Sequence, residues 1–197
     1  MPIRQVIVYS LKQKNIKMKK LFNLSAIALF LSMFFITSCN KDVTVFYNVG
    51  ELSGCLPQTN IQSANGYEYT EEVLVSDIRA AFDAAKVTYD LGRVKTARFK
   101  NFKAVVSTTG ANFDQIAGMQ LYVKADGTSG AGEQIAYVDN IGSGVAEVAL
   151  TLNGVDIKSL MNNQKLILTL KVFNKSAGND AICVKITSGI IEIQAKS

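Results

Sequence analysis

The chain has 197 residues, with 21 Lys or Arg, 16 Asp or Glu, a net charge of +5, three Cys, no His and no Trp. Without His, the sequence excludes Ser-His-Asp and Cys-His nucleophilic pairs and every imidazole metal site. It also lacks the Gly-x-x-x-x-Gly-Lys-Ser/Thr loop, so it offers no P-loop cradle for phosphate.

The N-terminal region contains a segment that is typical of a secretion signal. Met18, Lys19 and Lys20 begin it, and residues 21–36 follow as an almost wholly apolar run without charge. A basic start before a short apolar stretch indicates export, whereas a stable transmembrane helix needs about 20 predominantly apolar residues. Residues 1–17 add nothing to this pattern, so we expect translation to begin at Met18.

The residues that end the apolar run carry a family resemblance. Ile36-Thr37-Ser38-Cys39 resembles the lipobox of bacterial lipoproteins, with a branched apolar residue, two small residues and the cysteine that receives the lipid. The resemblance implies a cleaved signal peptide and a lipidated Cys39 as the mature N-terminus. Its acyl chains would provide stable anchorage, because each buried CH₂ contributes about 0.8 kcal/mol. The alternative is a buried cysteine that closes an ordinary core helix.

The next residues bear on which membrane would hold the protein. In enteric-type lipoproteins an Asp directly after the cysteine favours inner-membrane retention, and this chain has Asn40, so the resemblance implies the outer membrane. Lys41-Asp42 is similar to the short charged tag of surface-exported lipoproteins of Bacteroidota-type bacteria, and an ordinary polar tether is the alternative. We therefore expect a cell-envelope location, either on the periplasmic side or at the cell surface.

The predicted organisation has three parts, namely a signal region at 1–38, a lipidated tether at 39–42 and a single domain at 43–197. Six of the 21 basic residues and none of the 16 acidic residues lie within 1–39, so the rest carries 15 basic and 16 acidic residues, a net charge of −1. Nucleic-acid binding needs a basic excess on the folded domain, so we expect no nucleic-acid partner.

The domain opens with a predicted strand at 43–49, a loop at 50–66 and a second strand at 67–75. One helix is predicted at 76–86, with Ser76 as its N-cap. Its apolar residues recur with helical spacing and form one face: Ile78, Ala81, Phe82 and Ala85.

The rest of the sequence is dominated by strand patterns. Residues 94–107 form a long one whose apolar residues change parity near Asn101, which indicates a β-bulge. Ser188-Gly189 interrupts the last pattern, either as a tight hairpin or as a kink in one long strand. The other predicted strands cover 117–124, 134–141, 146–152, 165–172, 182–186 and 191–195, and a short helical turn covers 156–160.

These alternating strands, separated by Gly and Asn turns, predict a mainly β domain. We expect an antiparallel β-sandwich of immunoglobulin-like or jelly-roll topology with one short helix, and a closed barrel is the alternative. Cys55 and Cys183 form a candidate disulfide in an oxidising compartment, with two separate thiols as the alternative. Alternation places Cys183 on the face opposite Ile182 and Val184, so the bond would attach the loop that contains Cys55 to the last sheet.

Two groups of residues are candidates for a ligand surface. Tyr67 and Tyr69 share one face of a predicted strand and could stack on sugar rings. Arg98, Lys100 and Lys103 belong to the one charge-dense strand, which could take an anionic glycan or a lipid head group. The alternatives are tyrosines that cover the core and charges that protect a strand edge.

Catalytic and metal chemistry find little support in the sequence. Glu71 and Glu72 are neighbours on a predicted strand and would point to opposite faces, so they make a poor carboxylate pair. The loop at 126–130 has oxygen ligands but lacks the EF-hand spacing, so we expect no metal site and no cofactor.

These observations together favour a non-catalytic outer-membrane lipoprotein whose sandwich serves binding, adhesion or assembly. Its expected partners are the membrane, through the lipid anchor, and a glycan or an envelope protein. A carboxylate-based polysaccharide hydrolase and a purely structural accessory subunit of an envelope complex are the alternatives.

Overall fold

The structure is a computed structural model that describes residues 42–57, 65–175 and 181–196. The predicted signal region, the lipobox and Cys39 lie outside the described residues. Within these described ranges, two antiparallel sheets pack against each other, and one α-helix contacts the first two strands. The prediction of a mainly β, antiparallel sandwich with one short helix is confirmed.

The strands are numbered in chain order. They are β1 (Asp42–Leu56), β2 (Tyr67–Leu74), β3 (Val94–Lys100), β4 (Lys103–Val106), β5 (Ile116–Ala125), β6 (Glu133–Asp139), β7 (Glu147–Ala149), β8 (Thr151–Leu152), β9 (Lys165–Asn174) and β10 (Ile182–Lys196). Helix α1 (Val75–Ala84) follows β2, and short 3₁₀ helices cover Phe113–Gln115 and Lys158–Asn162.

Each sheet contributes one face to the core between them. The first has the order β1-β10-β4-β7, with β3 paired to the C-terminal part of β10, and the second has the order β2-β9-β5-β6-β8. Alternate residues of the central strands point inward because side chains alternate across a strand. In β9 the inward residues are all at most 1% exposed: Leu166, Leu168, Leu170 and Val172.

The backbone of the first sheet is irregular at neighbouring positions in three places. Asn101 (φ 58°) separates β3 from β4, Ser188 adopts a positive φ (60°) within β10, and the register of β1 shifts around Gly50. Phe102 packs against Gly189, where an added Cβ would lie within 2.8 Å of two of its ring atoms. Because β10 continues through this point, it is a kink rather than a hairpin. The predicted parity change is confirmed, since apolar residues on both sides of it are buried: Ala97, Phe99, Phe102, Ala104 and Val106.

Two predicted boundaries were wrong. β1 does not end at residue 49 but continues to Leu56, because pairing with β10 outweighs the loop preference of its glycines. Ser76 is not the N-cap, since α1 begins at Val75 and has no side-chain cap. The backbone N–H of Val75 donates to the carbonyl of Gln164 at 3.0 Å, which satisfies one of the four N–H groups that the first turn leaves without a partner inside the helix.

The two cysteines of the domain are joined by a disulfide bond. Cys55 lies directly opposite Cys183 in the register of β1 and β10, so the predicted pairing is confirmed. The predicted setting was wrong, because Cys55 belongs to a strand and the bond links two neighbours in one sheet rather than a loop to a sheet. Cys183 lies on the outer face, between the buried Ile182 and Val184, as the alternation predicts.

Candidate functional site

The two tyrosines predicted as a sugar platform lie between the sheets. Tyr67 and Tyr69 share the parity of the buried Val73 in β2 and pack against the core. The ring of Tyr69 lies directly over Gly54, and its hydroxyl donates a hydrogen bond to the carbonyl of Cys55 at 2.6 Å. Burial raises the pKa of Tyr69, and Tyr67 adds a smaller effect in the same direction. Tyr69 therefore joins β2 to β1 beside the disulfide.

The predicted basic residues lie on the outer face of the first sheet, beside carboxylates. The Lys100 ammonium is 3.9 Å from Glu192, and the Lys103 ammonium is 2.7 Å from Glu147. Arg98 stands opposite Glu192 in the register of β3 and β10. Two more ion pairs lie nearby, Lys95–Asp42 and Arg93–Asp90. The structure thus supplies counter-charges along this strand and does not bring these cations together with the tyrosines of β2.

A different surface collects groups that suit recognition, namely the outer face of the second sheet. Two rows of side chains cross it in the strand order β2-β9-β5-β6-β8. The first row is Glu68, Lys171, Gln120, Tyr137 and Thr151. The second row is Thr70, Thr169, Tyr122, Gln134 and Asn153, the last just beyond β8. We call these two rows the tyrosine–amide face.

Tyrosines and amides alternate at the centre of this face. Tyr122 lies opposite Gln134, and Gln120 lies opposite Tyr137. The Tyr122 hydroxyl donates to Oε1 of Gln120 at 2.7 Å, and Nδ2 of Asn153 donates to Oε1 of Gln134 at 3.1 Å and to its carbonyl at 2.9 Å. Both glutamine oxygens therefore accept bonds within the face, and among the described residues their NH₂ groups remain available as donors.

Two ion pairs lie on the outer side of this sheet. The Lys171 ammonium lies 2.6 Å from Glu68 and 5.5 Å from the ring centroid of Tyr122. In the adjoining rows, the Lys165 ammonium lies 3.0 Å from Glu72, and the hydrogen bond between them raises the pKa of Lys165. The cation over Tyr122 fixes that ring from one side, since cations are attracted to aromatic faces.

A second feature is a pair of open clefts beside α1. The larger, of about 660 Å³, is lined by Arg79, Asp83, Lys86, Val87, Thr88 and Tyr89. The smaller, of about 300 Å³, is lined by Leu74, Val75, Ser76, Arg79, Asn162, Asn163, Gln164 and Lys165. Arg79 separates them, with its guanidinium carbon 5.2 Å from the Tyr89 ring centroid. The lining of the two clefts includes one tyrosine ring, whereas the tyrosine–amide face carries two, so we regard that face as the better candidate site.

Sequence reasoning missed the tyrosine–amide face. Gln120 and Tyr122 share a parity within the predicted strand at 117–124, whereas Gln134 and Tyr137 differ in parity within the predicted strand at 134–141. A register shift in β6 buries both residues between them, Ile135 and Ala136, and so brings Gln134 and Tyr137 to the same face. The one available signal was the alternation in β5, because β6 on its own shows no consistent period.

The remaining chemistry of the described residues is limited. Glu71 and Glu72 pair with neighbouring residues of β9 and point to opposite sides of β2. In the described ranges, no three potential metal ligands among His, Cys, Asp and Glu come together, and no helix has the length and hydrophobicity to cross a membrane. No protein-family model matches this sequence, and a comparison with curated proteins finds no match.

Proposed function

We propose that this protein is a non-catalytic lipoprotein of the bacterial outer membrane, anchored through Cys39, whose β-sandwich serves as a binding module. The single observation that carries the binding role is the tyrosine–amide face, which extends across all strands of a 5-stranded sheet. Aromatic rings and amide donors on a broad sheet surface suit an extended or macromolecular partner rather than a small molecule in an enclosed cavity.

The anchor rests on the lipobox resemblance and agrees with the position of the first strand. β1 begins at Asp42, so the tether from Cys39 spans a few residues and reaches only about 10 Å when extended. A domain on so short a tether would stay close to the lipid surface. The non-catalytic role is supported by the absence of His from the whole sequence and by the opposite orientation of Glu71 and Glu72.

The anchor is tested by the intact mass of the protein in membrane fractions, with wild type beside Cys39→Ala. We expect the wild-type chain to begin at Cys39 and to carry acyl groups, and the variant to lose both the acyl mass and membrane retention. Cys55→Ala is the matched control, because it removes a cysteine outside the lipobox and should keep the acyl mass. An unacylated wild-type chain that still begins at Met1 or Met18 would refute the anchor.

A further inference from the structure

We infer that the tyrosine–amide face binds a neutral polysaccharide chain. This inference deepens the proposed function, on which it rests, by naming the class of ligand and the residues that select it. Three properties of the face support it: the arrangement of its rings, the hydrogen bonds left open by its amides, and its charge.

The two tyrosine rings are placed so that sugar units along one polysaccharide chain could stack on both. Tyr122 on β5 and Tyr137 on β6 are diagonal neighbours in the register, each opposite a glutamine of the other strand. Diagonal positions on adjacent strands lie about 7–8 Å apart, so an extended ligand can contact both rings. In the described part of the chain no hydrogen bond engages the Tyr137 hydroxyl, so this side chain offers both a ring and a free polar group.

The polar groups match sugar hydroxyls. The oxygens of Gln120 and Gln134 already accept bonds from Tyr122 and Asn153, and no hydrogen bond among the described residues engages their NH₂ groups, which stay available as donors. A hydroxyl can accept from such a donor and donate to a neighbouring oxygen, which suits a ligand rich in hydroxyl groups. Tyr122 holds Gln120 in place and Asn153 holds Gln134 before any ligand arrives, so binding loses little side-chain entropy.

The charge of the face selects against ionic ligands. Within the two rows Lys171 and Glu68 neutralise each other, whereas Lys124, in the adjoining row, is a cation whose described partner is a neutral group, the carbonyl of Gly130, at 2.9 Å. An anionic glycan would have to compete with Glu68 for Lys171 and would gain little from screened surface charges. The ligand that meets this face without breaking a pair is therefore uncharged.

The test uses the full-length protein purified in detergent and affinity electrophoresis through gels that contain polysaccharide. The neutral probes are amylopectin, dextran, xyloglucan, galactomannan and mixed-linkage β-glucan, and the anionic probes are polygalacturonate and hyaluronan. We expect retardation by at least one neutral probe, by neither anionic probe, and with less than about twofold change when salt is raised, because no ion pair forms with the ligand.

Variants then locate the site. Tyr137→Ala should weaken binding by about tenfold or more, equivalent to about 1.4 kcal/mol, whereas Tyr137→Phe keeps the ring and should stay within about threefold of wild type. Gln134→Ala should weaken binding by about threefold to tenfold, since it removes a donor at the same site. Gln194→Ala, on the outer face of the first sheet, is the matched control and should bind like wild type. Unchanged thermal unfolding would show that each variant is folded.

Several results would overturn the inference. They are retardation by anionic probes alone, retardation by none of the probes, or neutral-probe binding that Tyr137→Ala and Gln134→Ala leave intact. Capture of an envelope protein by this face, lost in the same variants, would replace the glycan with a protein ligand and leave the binding role standing. Failure of Cys39 acylation is a separate result, because it removes the anchor without changing the electrophoresis.

Discussion

Gly54 is the position where the packing of the two sheets can be tested most directly. The Tyr69 ring of the second sheet covers it, and a Cβ at this position would lie within 2.6 Å of three ring atoms. Because ordinary carbon contacts lie at about 3.5–4.0 Å, Gly54→Ala would displace the ring by roughly 1 Å or more. That displacement would also disrupt the 2.6 Å hydrogen bond from Tyr69 to the carbonyl of Cys55.

The expected cost of Gly54→Ala combines three effects. Overpacking of this kind costs about 1–3 kcal/mol, and loss of the hydrogen bond costs about 1 kcal/mol. The lower entropy of the unfolded chain with Ala offsets about 0.4–1 kcal/mol. We therefore expect the free energy of unfolding to fall by about 1–3.5 kcal/mol, measured by urea denaturation under oxidising conditions.

Gly142→Ala is the matched control, since its Cβ would meet only Val145, at 3.7 Å, and should change stability by less than about 1 kcal/mol. A double-mutant cycle isolates the contact: in a Tyr69→Ala background, Gly54→Ala should cost less than about 1 kcal/mol, because the ring it displaces is gone. If Gly54→Ala leaves stability unchanged, or costs as much without Tyr69 as with it, the proposed contact between the sheets is refuted.

Two further predictions concern the same corner of the fold. Replacing both Cys55 and Cys183 by Ser should lower stability by up to about 5 kcal/mol, since the bond closes a loop with a sequence separation of 128; a urea midpoint equal to that of the oxidised wild type would contradict this. Burial raises the pKa of Tyr69 in the folded state, so its contribution to stability is complete below the ordinary tyrosine pKa of about 10 and is lost as pH rises through the raised value. The stability difference between wild type and Tyr69→Phe should therefore shrink in urea titrations above about pH 10, and a difference that grows there would show the opposite linkage.

The fold class could be predicted from the sequence because the local residue patterns agree with the tertiary structure over most of the described residues. The alternation in β9 and the parity change at Asn101 predict the buried faces directly, and both are confirmed. The extent of β1 was not accessible, since Gly50, Gly54 and Pro57 indicate a loop. Only pairing with β10 and the packing of Tyr69 explain why the chain stays extended there, and neither is encoded locally.

The candidate site was less accessible than the fold. A surface that crosses five strands depends on sheet order, and the sequence does not reveal that β9 lies between β2 and β5. The shift in β6 also makes Gln134 and Tyr137 share a face in spite of their spacing. Tyr67 and Tyr69 show a further limit of sequence patterns. The pattern predicts that the two tyrosines share one side of a strand, but it does not show whether that side faces the core or the solvent.

The contacts around Cys55 also suit the anchor that we propose. Within the described residues β1 pairs with β10 alone, and it is the first strand after the tether, so any pull on a lipidated Cys39 would act first on Asp42. Such a pull would separate β1 from β10 residue by residue, starting at the Asp42 end. The disulfide lies near the opposite end of β1, where it and the Tyr69 hydrogen bond hold the strand to both sheets. The disulfide would therefore keep β1 joined to β10 at Cys55, and in the part of the chain that the structure describes no strand of the sheet with the tyrosine–amide face pairs with β1.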